Sequence, residues 1–180
     1  YVHVDLIDGN TSLTKPFIVV EGFDPIGIAS LLGLGESEYG FCNIDTFRST
    51  LSQEIEDMYD IVYVDWLNSE SYIQANADRL IEIIQWVNEH KVTEEKNVLY
   101  GHSMGGLIAR YALRTMEREH IPHEVTTYIS HDSPHLGVNF PLGLQYALYD
   151  ILHDMNFVSY IPYTNVLTKY LYAPSVKQML

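Results

Sequence analysis

The sequence predicts an α/β fold in which a mostly parallel β-sheet carries helices on both faces. Two observations support this class. Short runs of apolar, often β-branched residues recur along the chain, and glycine, proline or polar residues end each run. Between these runs lie longer segments with apolar residues at three- and four-residue steps. Strands that alternate with helices of this length are typical of β-α-β units and therefore of a parallel sheet.

Five segments predict the strands. The first, "YVHVDLI", alternates apolar and polar residues as a half-buried strand does. The other four contain the runs "FIVV", "DIVYVDW", "NVLY" and "VTTYIS". Short β-branched runs of this kind predict strands that are buried on both faces, as in a parallel sheet.

Three segments predict helices between the strands. Residues 45–59 favour an amphipathic helix whose apolar side consists of Phe47, Leu51, Ile55 and Met58. Residues 69–91 favour a longer helix whose apolar side consists of Ile73, Ala77, Leu80, Ile84 and Val87. A third helix, "MGGLIARYALRTMEREH", is expected directly after Ser103.

Composition limits the classes of partner. The chain has 180 residues, of which 47% are apolar, enough for one domain with a hydrophobic core. Its net charge of −14 argues against nucleic acid or an anionic membrane surface, because both require clustered positive charge. Cys42 is the single cysteine, which excludes an internal disulfide and a cysteine-rich zinc site. No segment approaches the roughly 18 apolar residues that span a bilayer, so no transmembrane segment is expected.

The character of the sequence changes near residue 136. We expect residues 1–135 to form the sheet-containing core and residues 136–180 to form a helical cap. Seven of the fourteen tyrosines occur at or after Tyr128. One interpretation is a mobile apolar cap over a pocket for acyl or aromatic groups, and the other is a pair of core helices. Because the chain begins with Tyr1 rather than methionine, we expect it to be part of a longer protein.

The segment "GHSMG", residues 101–105, fits the motif G-x-S-x-G between a predicted strand and a predicted helix. A serine at such a sharp turn needs neighbours without side chains, which Gly101 and Gly105 provide. Ser103 would then be exposed as a nucleophile, and the backbone N–H of Met104 would stabilise the oxyanion. A small-residue turn without chemistry is the alternative. A phosphate-binding loop is disfavoured because no lysine follows the glycines.

A second oxyanion donor is expected from the loop "VVEGFDP". Phe23 would supply this backbone N–H, and Gly22 would let the backbone approach the substrate. An ordinary turn at the end of a strand is the alternative.

With both loops placed, the sequence resembles the α/β-hydrolase superfamily, in its branch of lipases and esterases, over roughly residues 16–140. "GHSMGG" resembles the nucleophile turn of that branch, and "EGFDP" its oxyanion loop, with Glu21 where histidine is common. "SHDSPHLG" resembles its Thr-Pro-His-x-Gly turn. The resemblance implies an α/β-hydrolase-type sheet, ester hydrolysis through an acyl-enzyme, no cofactor, and a bacterial secreted or periplasmic location.

The nucleophile also needs a histidine to accept its proton and a carboxylate to orient that histidine. The resemblance implies the order serine, acid, histidine and makes "VTTYIS" the sixth strand of eight, so both partners are expected beyond Leu180. Within the chain, Asp132 is the alternative acid and His135 the alternative base. His102 is excluded because strand alternation directs it away from the serine. His153 is expected to be an ordinary helix residue.

A metal site is the other use for these side chains. His120 and His123 precede a predicted strand, whereas His131 and His135 follow it. An extended strand would separate the two groups by about 20 Å, too far for common ligation. We therefore predict no metal.

The sequence thus favours a serine esterase or lipase acting on hydrophobic acyl or aryl esters. A non-catalytic hydrolase-fold module that binds a ligand or a partner protein is the alternative, because the chain lacks a strong candidate for the base. A third interpretation is that a separate chain supplies further strands.

Overall fold

The computed structural model describes residues 1–23, 44–49, 51–138, 143, 146 and 173–179. The strands are β1 (Val2–Asp5), β2 (Pro16–Val20), β3 (Asp60–Val64), β4 (Asn97–His102) and β5 (Val125–His131). The helices are α1 (Ile44–Arg48), α2 (Gln53–Glu56), α3 (Ile73–His90), α4 (Met104–Arg118) and α5 (Pro174–Met179).

The strands form one sheet in the order β1-β3-β2-β4-β5. Strands β2 to β5 are parallel to one another, and β1 pairs antiparallel with β3. The predicted mostly parallel sheet is therefore confirmed. In the register of the central strands, Val20 lies opposite both Val64 and Gly101. The carboxyl ends of β2, β3 and β4 consequently meet at one edge of the sheet.

Helices cover both faces of the sheet. Helices α3 and α4 pack on the larger core, which contains Ile18, Val20, Val62 and Leu99 from the strands. All five residues predicted for the apolar side of the long helix are buried in α3, which confirms that prediction. On the opposite face, Phe47 of α1 packs in a smaller cluster of aromatic and aliphatic side chains. Among the described helices, none combines the length and apolarity needed to cross a bilayer.

The single helix predicted for residues 45–59 is wrong. The segment instead forms two short helices, α1 and α2. Ser52 has extended backbone angles (φ −75°, ψ 149°) just before α2, so the helical period does not continue through it. Phe47 is buried as expected, whereas Met58 is 49% exposed. Serine favours helix starts and turns because its hydroxyl competes for backbone hydrogen bonds, which opposes one continuous helix here.

Strand β5 also differs from expectation. The sequence predicted a strand buried on both faces, but most of its residues are exposed. Among the described strands, β5 pairs with β4 alone and stands at the edge of the sheet. Burial of a strand depends on its neighbours in the sheet, which its own sequence does not specify. The predicted cap, residues 136–180, lies largely outside the described residues and remains a prediction.

Asp60 joins the start of β3 to the loop before β2. Its side chain is fully buried. One carboxylate oxygen accepts a hydrogen bond from the Ile7 N–H at 2.9 Å. The other accepts from the Thr14 N–H at 2.6 Å, the Thr14 hydroxyl at 2.8 Å and the Lys15 N–H at 2.9 Å. Burial alone would raise the pKa of Asp60, but the backbone donors outweigh that effect and lower it.

We expect Asp60→Ala to lower the free energy of unfolding by about 3 kcal/mol, because three partly buried backbone N–H groups lose their acceptor. The lowered pKa means that ionised Asp60 stabilises the fold fully above its ordinary pKa of 3.8. That contribution is lost as the pH falls through the lower pKa of the folded state. The difference between wild type and variant should therefore stay constant from neutral pH to about pH 4 and shrink below it.

Urea unfolding at a series of pH values measures this difference. Asp8→Ala is the matched control, because Asp8 is exposed and its removal changes the net charge equally. An equal loss in the free energy of unfolding for Asp60→Ala and Asp8→Ala would contradict the assigned role of Asp60.

Candidate active site

Ser103 occupies the turn between β4 and α4. Its backbone has φ 52° and ψ −123°, in the region that residues with side chains rarely adopt. The Ser103 N–H donates to the carbonyl of His131 on β5 at 2.9 Å. The Ser103 carbonyl accepts from the Gly106 N–H at 3.1 Å. The strained conformation is therefore fixed from both the sheet and the helix.

The glycines on either side of Ser103 lie where no side chain fits. A Cβ atom at Gly101 would lie 2.6 Å from the Cα of Gly106. At Gly105 it would lie 2.2 Å from the carbonyl oxygen of Val20. Both close approaches are to backbone, which cannot rotate away as a side chain can. They supply the physical reason for the glycines of the motif.

The predicted oxyanion loop passes directly against the serine. A Cβ atom at Gly22 would lie 3.1 Å from the Cβ of Ser103 and 3.1 Å from the His102 carbonyl oxygen. Phe23 follows Gly22 and packs on the larger core, and Met104 follows Ser103 and is fully buried. The structure thus brings together the segments that contain the predicted nucleophile and both predicted oxyanion donors.

Asp132 and His135 lie beyond the end of β5. Asp132 has a positive φ of 47°, immediately after the last residue of the strand. The Nε2 atom of His135 is 2.7 Å from the hydroxyl of Ser130, and its Nδ1 atom is buried without a hydrogen-bond partner. In the described part of the chain, no residue forms a hydrogen bond with the Ser103 hydroxyl. The roles suggested for Asp132 and His135 therefore remain predictions.

Two histidines lie side by side at the ends of β4 and β5. His102 is opposite His131 in the parallel register, and their ring centroids are 5.3 Å apart. The Tyr100 hydroxyl is 2.5 Å from Nδ1 of His131. Burial lowers the pKa of His102 and His131 lowers it further, whereas Asp132 acts in the opposite direction. Sequence reasoning missed this cluster, although both strands end in histidine and parallel register aligns them.

The residues considered for a metal site form separate contacts. Nδ1 of His123 accepts a hydrogen bond from the Val125 N–H at 2.9 Å, while His131 and His135 contact Tyr100 and Ser130. Within the described ranges, no group of three possible ligands converges on one point.

These features define a class of protein. A mostly parallel sheet with helices on both faces, and a G-x-S-x-G turn at the carboxyl end of a central strand, belong to the α/β-hydrolases. Residues 67–164 match the family described as "Putative serine esterase (DUF676)". The match covers more than half of the chain, so the chain belongs to that family. No curated protein sequence is significantly similar to it.

Three solved structures were compared with this chain, and the first of them supports the fold. A lipase-esterase related protein from Clostridium acetobutylicum ATCC 824 is 15% identical with a TM-score of 0.53, over 97% of this chain and 67% of its own. The type II thioesterase YbtT of the yersiniabactin pathway is 14% identical with a TM-score of 0.48, and the match covers 99% of this chain and 67% of YbtT. The mature Bacillus licheniformis lipase BlEst2 is 19% identical with a TM-score of 0.45, and the match covers 99% of this chain and 69% of the lipase. The chain thus spans about two thirds of the length of each of these structures.

We expect Gly105→Ala to abolish activity at Ser103, because the added methyl group would force the first turn of α4 away from β2. The matched control is Gly143→Ala, since a Cβ at Gly143 would have no atom of the described residues within 4 Å. The rate at which a fluorophosphonate labels Ser103 measures the effect, with circular dichroism to check folding. A folded Gly105→Ala variant that labels at the wild-type rate would contradict the close approach.

Proposed function

We propose that this protein is a carboxylic ester hydrolase that forms an acyl-enzyme on Ser103. The backbone of Ser103 is the observation that carries the proposal. Strained positions of this kind cost about 1–3 kcal/mol and concentrate at functional sites. The turn directs a serine to the edge where the carboxyl ends of parallel strands meet, which is where open α/β sheets bind their ligands. Membership of the serine esterase family supports the same conclusion.

The reaction follows from the neighbours of Ser103. The hydroxyl oxygen attacks the ester carbonyl carbon, and a histidine base accepts the hydroxyl proton. The carbonyl oxygen becomes an oxyanion, which the backbone N–H groups of Phe23 and Met104 stabilise. The tetrahedral intermediate collapses, and the alcohol leaves with the proton from the imidazolium. Water then attacks the acyl-enzyme by the same route and releases the carboxylic acid.

The start of α4 adds to the stabilisation of negative charge. Backbone N–H groups at the first turn of a helix lack intrahelical acceptors, and the helix dipole favours an anion there. Met104 is the first residue of this helix, so its N–H belongs to that set. No cofactor is required for this chemistry.

We propose that the histidine base comes from outside the described residues, in sequence beyond Leu180. This agrees with the contacts of His135, whose Nε2 atom is bonded to Ser130 instead of Ser103. Asp132 is the second candidate for the acid, because it stands at the same edge of the sheet. For the substrate, we propose a hydrophobic acyl or aryl ester, on the basis of the tyrosine-rich sequence after Tyr128.

The alternative function is a non-catalytic module that binds a ligand or a partner protein. It is favoured by one observation, that no imidazole among the described residues is bonded to the Ser103 hydroxyl. The strain at Ser103 opposes it, because a binding surface needs no hydroxyl at a strained turn.

We expect a fluorophosphonate probe to phosphonylate the full-length protein at Ser103, with loss of fluoride. Ser103→Ala should abolish the adduct, whereas Ser52→Ala, which removes an exposed serine, should leave it intact. Intact mass and peptide mass spectrometry identify the modified residue. Absence of any adduct in the full-length protein would reject the proposal and favour the binding module.

The same probe locates the base. Labelling of the full-length protein but not of residues 1–180 would place the base beyond Leu180. Rapid labelling of residues 1–180 would instead favour His135, with Asp132 as its acid, and His135→Ala should then abolish the adduct.

A further inference from the structure

We infer that Trp66 is a positioning residue that holds the oxyanion loop against the nucleophile turn. The inference rests on the proposed function, because it concerns the loop that contains Phe23. Trp66 lies two residues after the end of β3, at the same edge of the sheet as Ser103. It does not contact the reacting atoms in the proposed mechanism and acts through Glu21.

Trp66 holds Glu21 by two separate hydrogen bonds. Its indole Nε1–H donates to the backbone carbonyl of Glu21 at 3.0 Å. Its backbone N–H donates to a carboxylate oxygen of Glu21 at 3.3 Å. The Glu21 N–H in turn donates to the Val64 carbonyl at 3.3 Å. Glu21 is 5% exposed, so these bonds form where water does not compete freely.

The first turn of α4 lies close to the same peptide and limits its movement. A Cβ atom at Gly105 would lie 2.5 Å from the carbonyl oxygen of Glu21. That carbonyl therefore accepts the indole N–H of Trp66 and also lies close to the backbone of α4. Its orientation fixes the plane of the peptide that joins Glu21 to Gly22.

Because residue 22 is a glycine, the loop needs a contact outside itself to fix its backbone. Gly22 has no side chain to restrict its backbone, so the direction of the following Phe23 N–H depends on anchors outside the loop. An oxyanion donor is effective only when its N–H points at the position of the developing charge. The indole N–H of Trp66 is such an anchor. The sequence suggested Glu21 as a departure from the common histidine, and Trp66 supplies a partner for that glutamate.

The test compares Trp66→Phe with Trp86→Phe. The first variant keeps an aromatic ring but removes the indole donor. The second is the matched control, because Trp86, the other tryptophan, is 39% exposed on α3 and stacks on His90. Each full-length protein is assayed with an aryl ester and with the corresponding thionoester, in which sulfur replaces the carbonyl oxygen. Sulfur is larger and a poorer acceptor, so a well-aligned oxyanion site favours the oxygen ester.

We expect Trp66→Phe to lower kcat for the oxygen ester about tenfold with little change in KM, because a misdirected oxyanion donor acts mainly in the transition state. The ratio of kcat/KM for the oxygen ester over the thionoester should fall as well. A purely structural role would lower kcat/KM by the same factor for both substrates and leave this ratio unchanged. Trp86→Phe should retain the wild-type values.

Two variants of Glu21 keep the test valid if Trp66→Phe folds poorly. Glu21→Gln retains an oxygen that accepts from the Trp66 N–H, and it should keep the wild-type ratio. Glu21→Ala removes that acceptor and should lower the ratio. If all folded variants retain the wild-type ratio, the inference is overturned.

Hydrogen exchange separates this inference from the proposed function. The amides of residues 21–23 should exchange faster in Trp66→Phe than in Trp86→Phe, whether or not the protein hydrolyses esters. Unchanged exchange would overturn the inference even in an active enzyme. Wild-type protein without esterase activity would overturn the catalytic role together with the proposed function, whatever the exchange rates.

Discussion

The close approach between the first turn of α4 and the carboxyl end of β2 is the constraint on which the site depends. Gly105 lies directly against the backbone of Val20 and Glu21, and Ser103, in the turn just before it, has a positive φ. That strain costs about 1–3 kcal/mol. Met104, Ile108 and Met116 are fully buried on the inner side of α4, and each buried side chain of this size contributes about 1.5–3 kcal/mol. Packing of the helix thus offsets the strain of the turn.

The parallel register brings segments that are distant in the sequence together at the Ser103 turn. Strands β2, β3 and β4 end together, so Gly22, Trp66 and Ser103 arrive at one edge from distant parts of the sequence. Strand β5 adds the His131 carbonyl, which accepts the Ser103 N–H. Strands β2, β3 and β4 therefore lead into the segments at this edge, and β5 supplies a backbone group that holds the Ser103 turn.

The sequence predicted what local patterns determine. Helix α3 and the central strands were recognisable because long periodic segments leave few alternatives, and the Ser103 turn because its glycines are a local requirement. The break between α1 and α2 was missed, since the serine at position 52 competes with an otherwise helical period. The contacts of Trp66 with Glu21 and of Tyr100 with His131 were not predictable, because they depend on which strands become neighbours. The exposure of β5 was missed for the same reason.

Positive φ alone does not identify a functional residue in this protein. His120 and Glu124 share that property with Ser103, but they lie in the connection between α4 and β5, at the opposite end of β5 from the site. Ser103 differs because backbone hydrogen bonds to His131 of β5 and Gly106 of α4 hold its turn in this conformation. A glycine at position 103 would adopt the same angles at lower cost. The strain comes from the Cβ atom of Ser103, and the hydroxyl is the group that this side chain adds at the turn, which favours the proposed catalysis over the binding module.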